Sequence, residues 1–343
     1  MSKRSSSRSD DAVGGGKRAA RCIVDMLPRD MLVCVADFLG ARDRGPFART
    51  CRLLRGIARR AFDPMPSFAW ACMHGYTDLA EELMYGDETH ERVHPAADDD
   101  FALCVSSKKG YVGVVRLLLR DGRANPAARQ NYAIVESSAR GHTVVVRALI
   151  TDGRCDPAVK QNYPLRQSSE TGNASVVSQL LVLAGGRVDP TAFDSEAIRT
   201  SSTLGHAGVV KLLLAEGRAD PAAADNEPIG DSSANGHADV VRTLLTDRRV
   251  DPAADSNRAL RKASEYGHAD VVRLLLGDAR VDPTNDGNYA VRQAAIWGHV
   301  DVVRALLADG RCDPTGALAA MDRWHCTGFG EREEIAQLLR EAA

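Results

Sequence analysis

The chain has 343 residues, 44% hydrophobic and 26% charged, with a formal net charge of −2. That balance leaves ample apolar surface to bury and makes no electrostatic case for nucleic acid or a membrane surface as the main partner. No apolar run approaches the roughly 20 residues of a membrane-spanning helix, and the N-terminus lacks the apolar core of a secretory signal. The eight cysteines form no CxxC pair. Most sit at small or apolar helix positions, a usage that fits a reducing compartment, so the protein is expected in the cytoplasm, the nucleus or both.

Residues 1–21 are rich in Ser, Gly, Arg and Lys with almost nothing to bury, and read as a disordered tail. Lys17, Arg18 and Arg21 form a solvated basic stretch or a weak nuclear address. Gly14–Lys17 is no phosphate loop: no glycine precedes it at the needed spacing, and Arg18 stands where Ser or Thr is required. From 22 to 64 a small helical element is predicted. Pro28 suits a first helical turn, and Met31, Leu32, Val35, Phe38 and Leu39 fall on one face. Gly40 ends that helix, and Phe47, Cys51, Leu54 and Ile57 mark a second.

The order Leu27-Pro28, Met31-Leu32, Val35, Phe38-Leu39, Arg42-Asp43 and Cys51-Arg52-Leu53-Leu54 resembles an F-box, departing from that pattern at Arg44-Gly45-Pro46. The resemblance implies docking on the adaptor Skp1 of a cullin-based ubiquitin ligase. By match, Leu27, Pro28, Met31, Leu32, Val35 and Phe38 would form the adaptor-binding surface. Read from the residues alone, the same helices could instead cap the array that follows.

That array fills 65–343. Prolines close successive units at Pro126, Pro157, Pro190, Pro221, Pro252, Pro283 and Pro314, a period of 31 residues broken once, by 33 between Pro157 and Pro190. A fixed period in this range means stacked supersecondary units. Each unit predicts two helices. Asn131, Asn162, Asn226, Asn257 and Asn288 stand at helix starts as candidate N-caps. An apolar anchor lies seven residues before a glycine, and a small pair such as Ser137-Ser138 four and three before it, where close helix approach is expected. The glycine ends the first helix. The second carries paired valines and, four residues on, paired leucines on one face.

The small pairs, Gly-His at 141–142, 205–206, 236–237, 267–268 and 298–299, the paired valines and the leucine runs resemble the ankyrin family. Eight full units and a worn ninth are implied, in an all-α solenoid with short fingers. Glu334, Gln337 and Arg340 suit a polar C-terminal cap.

Chemistry is sparse in this pattern. His90-Glu91-Arg92-Val93-His94 spells the HExxH of zinc hydrolases, but Pro95 follows directly and the repeat frame puts the stretch in a loop rather than the helix such a site needs. The Gly-His histidines recur about 10 Å apart, too far to share a metal, and suit a hydrogen-bonding role at the turn. The Arg and Asp of each GRxDP suit a structural ladder. No nucleophile constellation stands out, so no enzyme activity, metal or cofactor is expected.

The two residues before each glycine vary freely, and the resemblance places them on the concave face. Leu204, Tyr266, Ile296 and Trp297 are apolar there, while Lys108, Lys109 and Arg140 are basic. These seven form the candidate target-binding set, as exposed aromatics do at interaction surfaces; alternatively, Trp297 and Tyr266 only cover a neighbouring helix. The sequence therefore reads as a non-enzymatic, monomeric adaptor that joins a Skp1-like partner to a target protein, or else as a scaffold without a ligase link.

Overall fold

The computed structural model describes residues 64–85, 93–323 and 329–342. The F-box-like segment, its six adaptor-facing residues, and His90 and Glu91 lie outside them. The described residues all belong to the unit that begins at Pro64.

Helices alternate in pairs: α1 Pro64–His74 with α2 Thr77–Tyr85, α3 Ala97–Lys109 with α4 Val112–Asp121, and α5 Ala128–Ala139 with α6 Thr143–Asp152. There follow α7 Val159–Glu170 with α8 Ala174–Leu183, α9 Ala192–Thr203 with α10 Ala207–Glu216, and α11 Ala223–Ala234 with α12 Ala238–Leu244. Then come α13 Ala254–Glu265 with α14 Ala269–Leu276, α15 Asn285–Trp297 with α16 Val300–Asp309, and α17 Thr315–Arg323 with α18 Phe329–Ala342. Odd-numbered helices pack on odd, even on even, and each also packs on its own partner, giving two helical layers one unit deep per step. Among the described residues there are no strands.

The core follows the repeat pattern. Anchors Phe68, Leu103, Ile134, Leu165, Ile198, Ile229, Leu260 and Val291 are buried, as are the valine pairs from Val114-Val115 to Val302-Val303. In each serine pair the first hydroxyl donates to the carbonyl three residues back, as Ser137 does to Ile134 O at 3.3 Å. The second, in Ser107, Ser138, Ser169, Ser202, Ser233 and Ser264, is buried without a partner. Close helix approach is bought with one unmet hydroxyl in each of these six units; Cys72 and Ala295 fill the position in the first and last full units.

The start of the odd helices departs from expectation. In α3 to α15 three successive residues adopt left-handed φ before the right-handed helix begins, for example Asp255, Ser256 and Asn257 at +47°, +54° and +59°. Such residues cost roughly 1–2 kcal/mol each, so something outside the helix must hold them. It is the following connector. Asn257 Oδ1 accepts the backbone N–H of Asp282 at 3.0 Å, and Asn131, Asn162, Asn226 and Asn288 do the same for Asp156, Asp189, Asp251 and Asp313. The asparagines are therefore not N-caps of their own helices; each joins its unit to the next loop. Ser195 and Asp100 fill the same register, accepting from Asp220 and Asn125. Because the right-handed helix starts only after this turn, Pro164 and Pro228 fall in its first turn, where no N–H is needed.

Two further bonds repeat. Arg154 lies against the carboxylate of Asp152 and donates to Gly122 O and Ala124 O of the preceding loop. Arg249, Arg280 and Arg311 repeat this with Asp247, Asp278 and Asp309 and with carbonyls about one unit back. The ladder thus runs on the acidic residue two before each Arg, which is Glu216 for Arg218. The Asp of each Asp-Pro instead accepts from the N–H two residues on, as Asp156 does from Ala158. The second bond is made by the histidines: His142, His206, His237, His268 and His299 each set Nε2 2.9–3.1 Å from a carbonyl of the previous odd helix. Their rings lie against the preceding glycine, so that a Cβ on Gly236 (φ +74°) would sit 2.6 Å from His268 Nδ1. That glycine serves both the left-handed turn and the ring of the next unit.

The long unit breaks the pattern. Counted from its valine pair, Leu183 stands where Asp152 does in α6; Gly185 and Gly186 have positive φ, and Arg187 Nε donates to Ala184 O. Val182 and Leu183 are exposed there, at 71% and 40%.

Candidate functional site

The solvent side of the odd helices is built from positions nine, six, five, two and one before the turn glycine; the intervening positions are core. Leu204, Tyr266 and Trp297 share the last of these columns, 47%, 51% and 51% exposed. Ile296 beside Trp297 is half-buried. Roughly half of the Tyr266 and Trp297 side chains is therefore left in water. Lys262 Nζ sits 5.4 Å over the Tyr266 ring.

The basic residues are less free than their sequence positions suggest. Lys108 is half-buried; it donates to Tyr132 Oη at 3.2 Å and lies 3.5 Å from Glu136. The Tyr132 bond, with Glu136 nearby, raises the Lys108 pKa. Arg140 meets the same Glu136 at 3.2 Å, and Lys109 donates to Met73 O at 3.0 Å. Both remain exposed.

Sequence reasoning missed a chain of ion pairs across units on this face. Arg166 meets Glu196 at 2.5 Å, Arg199 meets Glu227 at 2.6 Å, and Arg258 meets Asp231 at 2.7 Å. Arg166 also lies over the rings of Tyr163 and Phe193. The signal was present in the frame: acidic and basic residues occupy columns nine, six and five before the glycine in adjoining units. At the other end Trp70, His74 and Tyr76 form an aromatic cluster with ring centroids 4.5–6.2 Å apart.

No group of three His, Cys, Asp or Glu among the described residues could hold a metal ion. His94 is exposed and Pro95 buried. Burial pushes the Cys72 thiol up to about 12 and those of Cys104, Cys155 and Cys312 to about 11, which makes them poor nucleophiles. No described helix is long and apolar enough to cross a membrane.

Residues 231–316 match a family model described as ankyrin repeats in three copies. These residues are ankyrin repeats, and the array has the all-helical ankyrin-repeat fold. A crystal structure of the human ASB11 ankyrin repeat domain superposes with a TM-score of 0.50 at 20% identity, covering 61% of this chain and 97% of that one. At that identity the likeness concerns the fold. No curated protein matches the sequence significantly. Ankyrin repeats are protein-interaction modules.

Proposed function

We propose that this protein is a non-enzymatic adaptor. Its odd-helix face recruits a target protein, and its F-box-like segment engages a Skp1-like subunit of a cullin ubiquitin ligase. The observation that carries the recruiting half is the register of Leu204, Tyr266 and Trp297. Three large apolar residues stand half in water in one column of a face on which ion pairs link several neighbouring units. Isolated exposed apolar residues are ordinary, but a spaced row on a rigid surface has the layout of interface anchors. The ligase half rests on Leu27, Pro28, Met31, Leu32, Val35 and Phe38 as a sequence match.

Purified full-length protein is titrated with Skp1, and wild type is compared with Leu27→Ala/Pro28→Ala and with Phe38→Ala. Loss of about 1–3 kcal/mol on these truncations, with the repeats still folded by circular dichroism, supports the adaptor reading. A wild type that does not bind removes the ligase claim and leaves an ankyrin scaffold whose N-terminal helices have another role.

A further inference from the structure

The charge on the odd-helix face is not evenly matched along the stack. Arg166 of α7, Arg199 of α9 and Arg258 at the start of α13 each close on a carboxylate of the next unit or the last, at 2.5–2.7 Å. Past Arg258, the cations of α13 and α15 make no such cross-unit pair among the described residues; Lys262 meets Glu265 of its own helix at 3.0 Å. Arg261 donates to Asp255 O at 3.0 Å, with the Asp255 carboxylate 3.8 Å away. Its Nε is buried with no partner. Arg292 donates only to Asp286 O, at 3.2 Å, among the described residues. Both guanidinium groups spend their directed bonds on carbonyls; Arg261 has the Asp255 carboxylate at 3.8 Å for its charge, and Arg292 lies in no ion pair among the described residues.

The same two helices carry the exposed aromatics. Tyr266 and Trp297 stand half in water, Ile296 is half-buried beside them, and Arg261 lies 5.6 Å from the Tyr289 ring centre. Cations and apolar side chains thus interleave over one surface. A ligand that satisfies both must bring anions and apolar groups in alternation, because an apolar ligand would leave the arginines unanswered and a purely anionic one would leave the aromatics in water. Leu204 extends the apolar column three units N-terminal of Trp297, about 30 Å at an interhelical step of about 10 Å. An extended chain of about nine or ten residues covers that span. Aliphatic Leu204 and Ile296, and the carboxylates Glu227 and Glu265 on the same face, suit side chains better than a phosphodiester backbone.

We propose that the face from Leu204 to Trp297 takes an extended acidic segment of a partner protein. Its carboxylates meet Arg261 and Arg292, and its apolar side chains cover Tyr266, Ile296 and Trp297. This rests on the target-recruiting reading above and names the chemistry of the target.

The test uses the full chain and three fluorescein-labelled synthetic 12-mers read by anisotropy: Glu-Leu-Glu-Phe three times over, the same with Gln for Glu, and the same with Lys for Glu. A 12-nucleotide oligo-dT is the fourth probe. The acidic peptide is expected to bind at least about tenfold tighter than the neutral one and to weaken with added salt. Arg261→Gln/Arg292→Gln should remove that advantage, while Trp297→Ala should weaken the acidic and neutral peptides alike by about tenfold. Arg116→Gln/Arg147→Gln, exposed on the even helices α4 and α6, should change neither. Equal binding of acidic and neutral peptides, still lost on Trp297→Ala, overturns the acidic class while leaving target recruitment standing. Binding of oligo-dT or of the basic peptide at least as tight as that of the acidic one overturns the proposal in favour of another ligand. Failure of all four probes overturns both the proposal and the role of this face.

Discussion

Replacing Asn257 by Ala probes the bond that holds each left-handed turn. Asn257 is 3% exposed, sits at φ +59°, and accepts the Asp282 N–H from the following connector at 3.0 Å. Truncation leaves a half-buried amide without its acceptor, a loss of about 1–3 kcal/mol. It also puts Ala in a conformation that Asn tolerates better, worth about 1 kcal/mol more. The sum is about 2–4 kcal/mol, far above the value for an ordinary surface change. Urea unfolding followed by circular dichroism should show this as a lower midpoint. Asn257→Ser is the control, since Ser195 fills the same register and reaches Asp220 N–H at 3.0 Å; it should retain more than half of the lost stability. A loss below about 0.5 kcal/mol for Asn257→Ala would refute the reasoning, because the turn would then hold itself.

The turn glycines separate into two kinds. Gly236→Ala should cost more than about 2 kcal/mol, because its Cβ would strike His268, whereas Gly310→Ala, at a similar φ of +77° with nothing within 4 Å, should cost only about 1 kcal/mol; thermal melts of the two compare them directly. Ser138→Ala should be neutral or stabilising by up to about 1 kcal/mol, since the hydroxyl it removes is buried and unpaired, and Ala295 already fills that position near the C-terminal end. Asp100→Asn keeps the acceptor for Asn125 N–H and removes a carboxylate whose pKa burial raises. A raised folded pKa penalises the ionised form only once pH climbs through the carboxylate range, so the variant should match wild type in acid and exceed it at pH 7 in paired unfolding curves. Equal stability at both pH values would count against that burial cost.

Some of this structure could be read directly from the chain. The 31-residue frame places the anchors, valine pairs and turn glycines, because each is decided within its own unit by burial or backbone shape. The left-handed turns could not be found that way. Their residues include Phe193, Ala224, Arg129 and Asp255, with glycine only at Gly287, so the local preference points elsewhere, and the bond that enforces the turn comes from a connector 25 residues away. The histidines were assigned to the turn, but their partner is the previous unit, a contact that a repeating sequence cannot assign to one side or the other. On the candidate site, the frame set Leu204, Tyr266 and Trp297 in one column but left open whether the aromatics cover a neighbouring helix; their exposure, like the convergence of Lys108 and Arg140 on Glu136, is seen only in the geometry. The F-box-like residues lie outside the described part and stand on sequence alone.

The repeating bonds between units share a direction. His268 gives a proton to Ala234 O, Arg249 to Ala219 O, and Asp251 N–H to Asn226 Oδ1; in each the later unit donates and the earlier accepts. Such an array has a head and a tail, like a polymer that grows from one end. As the chain leaves the ribosome N-terminus first, each finished unit already displays the oxygens that the next one seeks. Elongation by translation and elongation of the stack then run the same way, and at each step only the left-handed turn of the newest unit waits for its donor, the N–H of the connector made next.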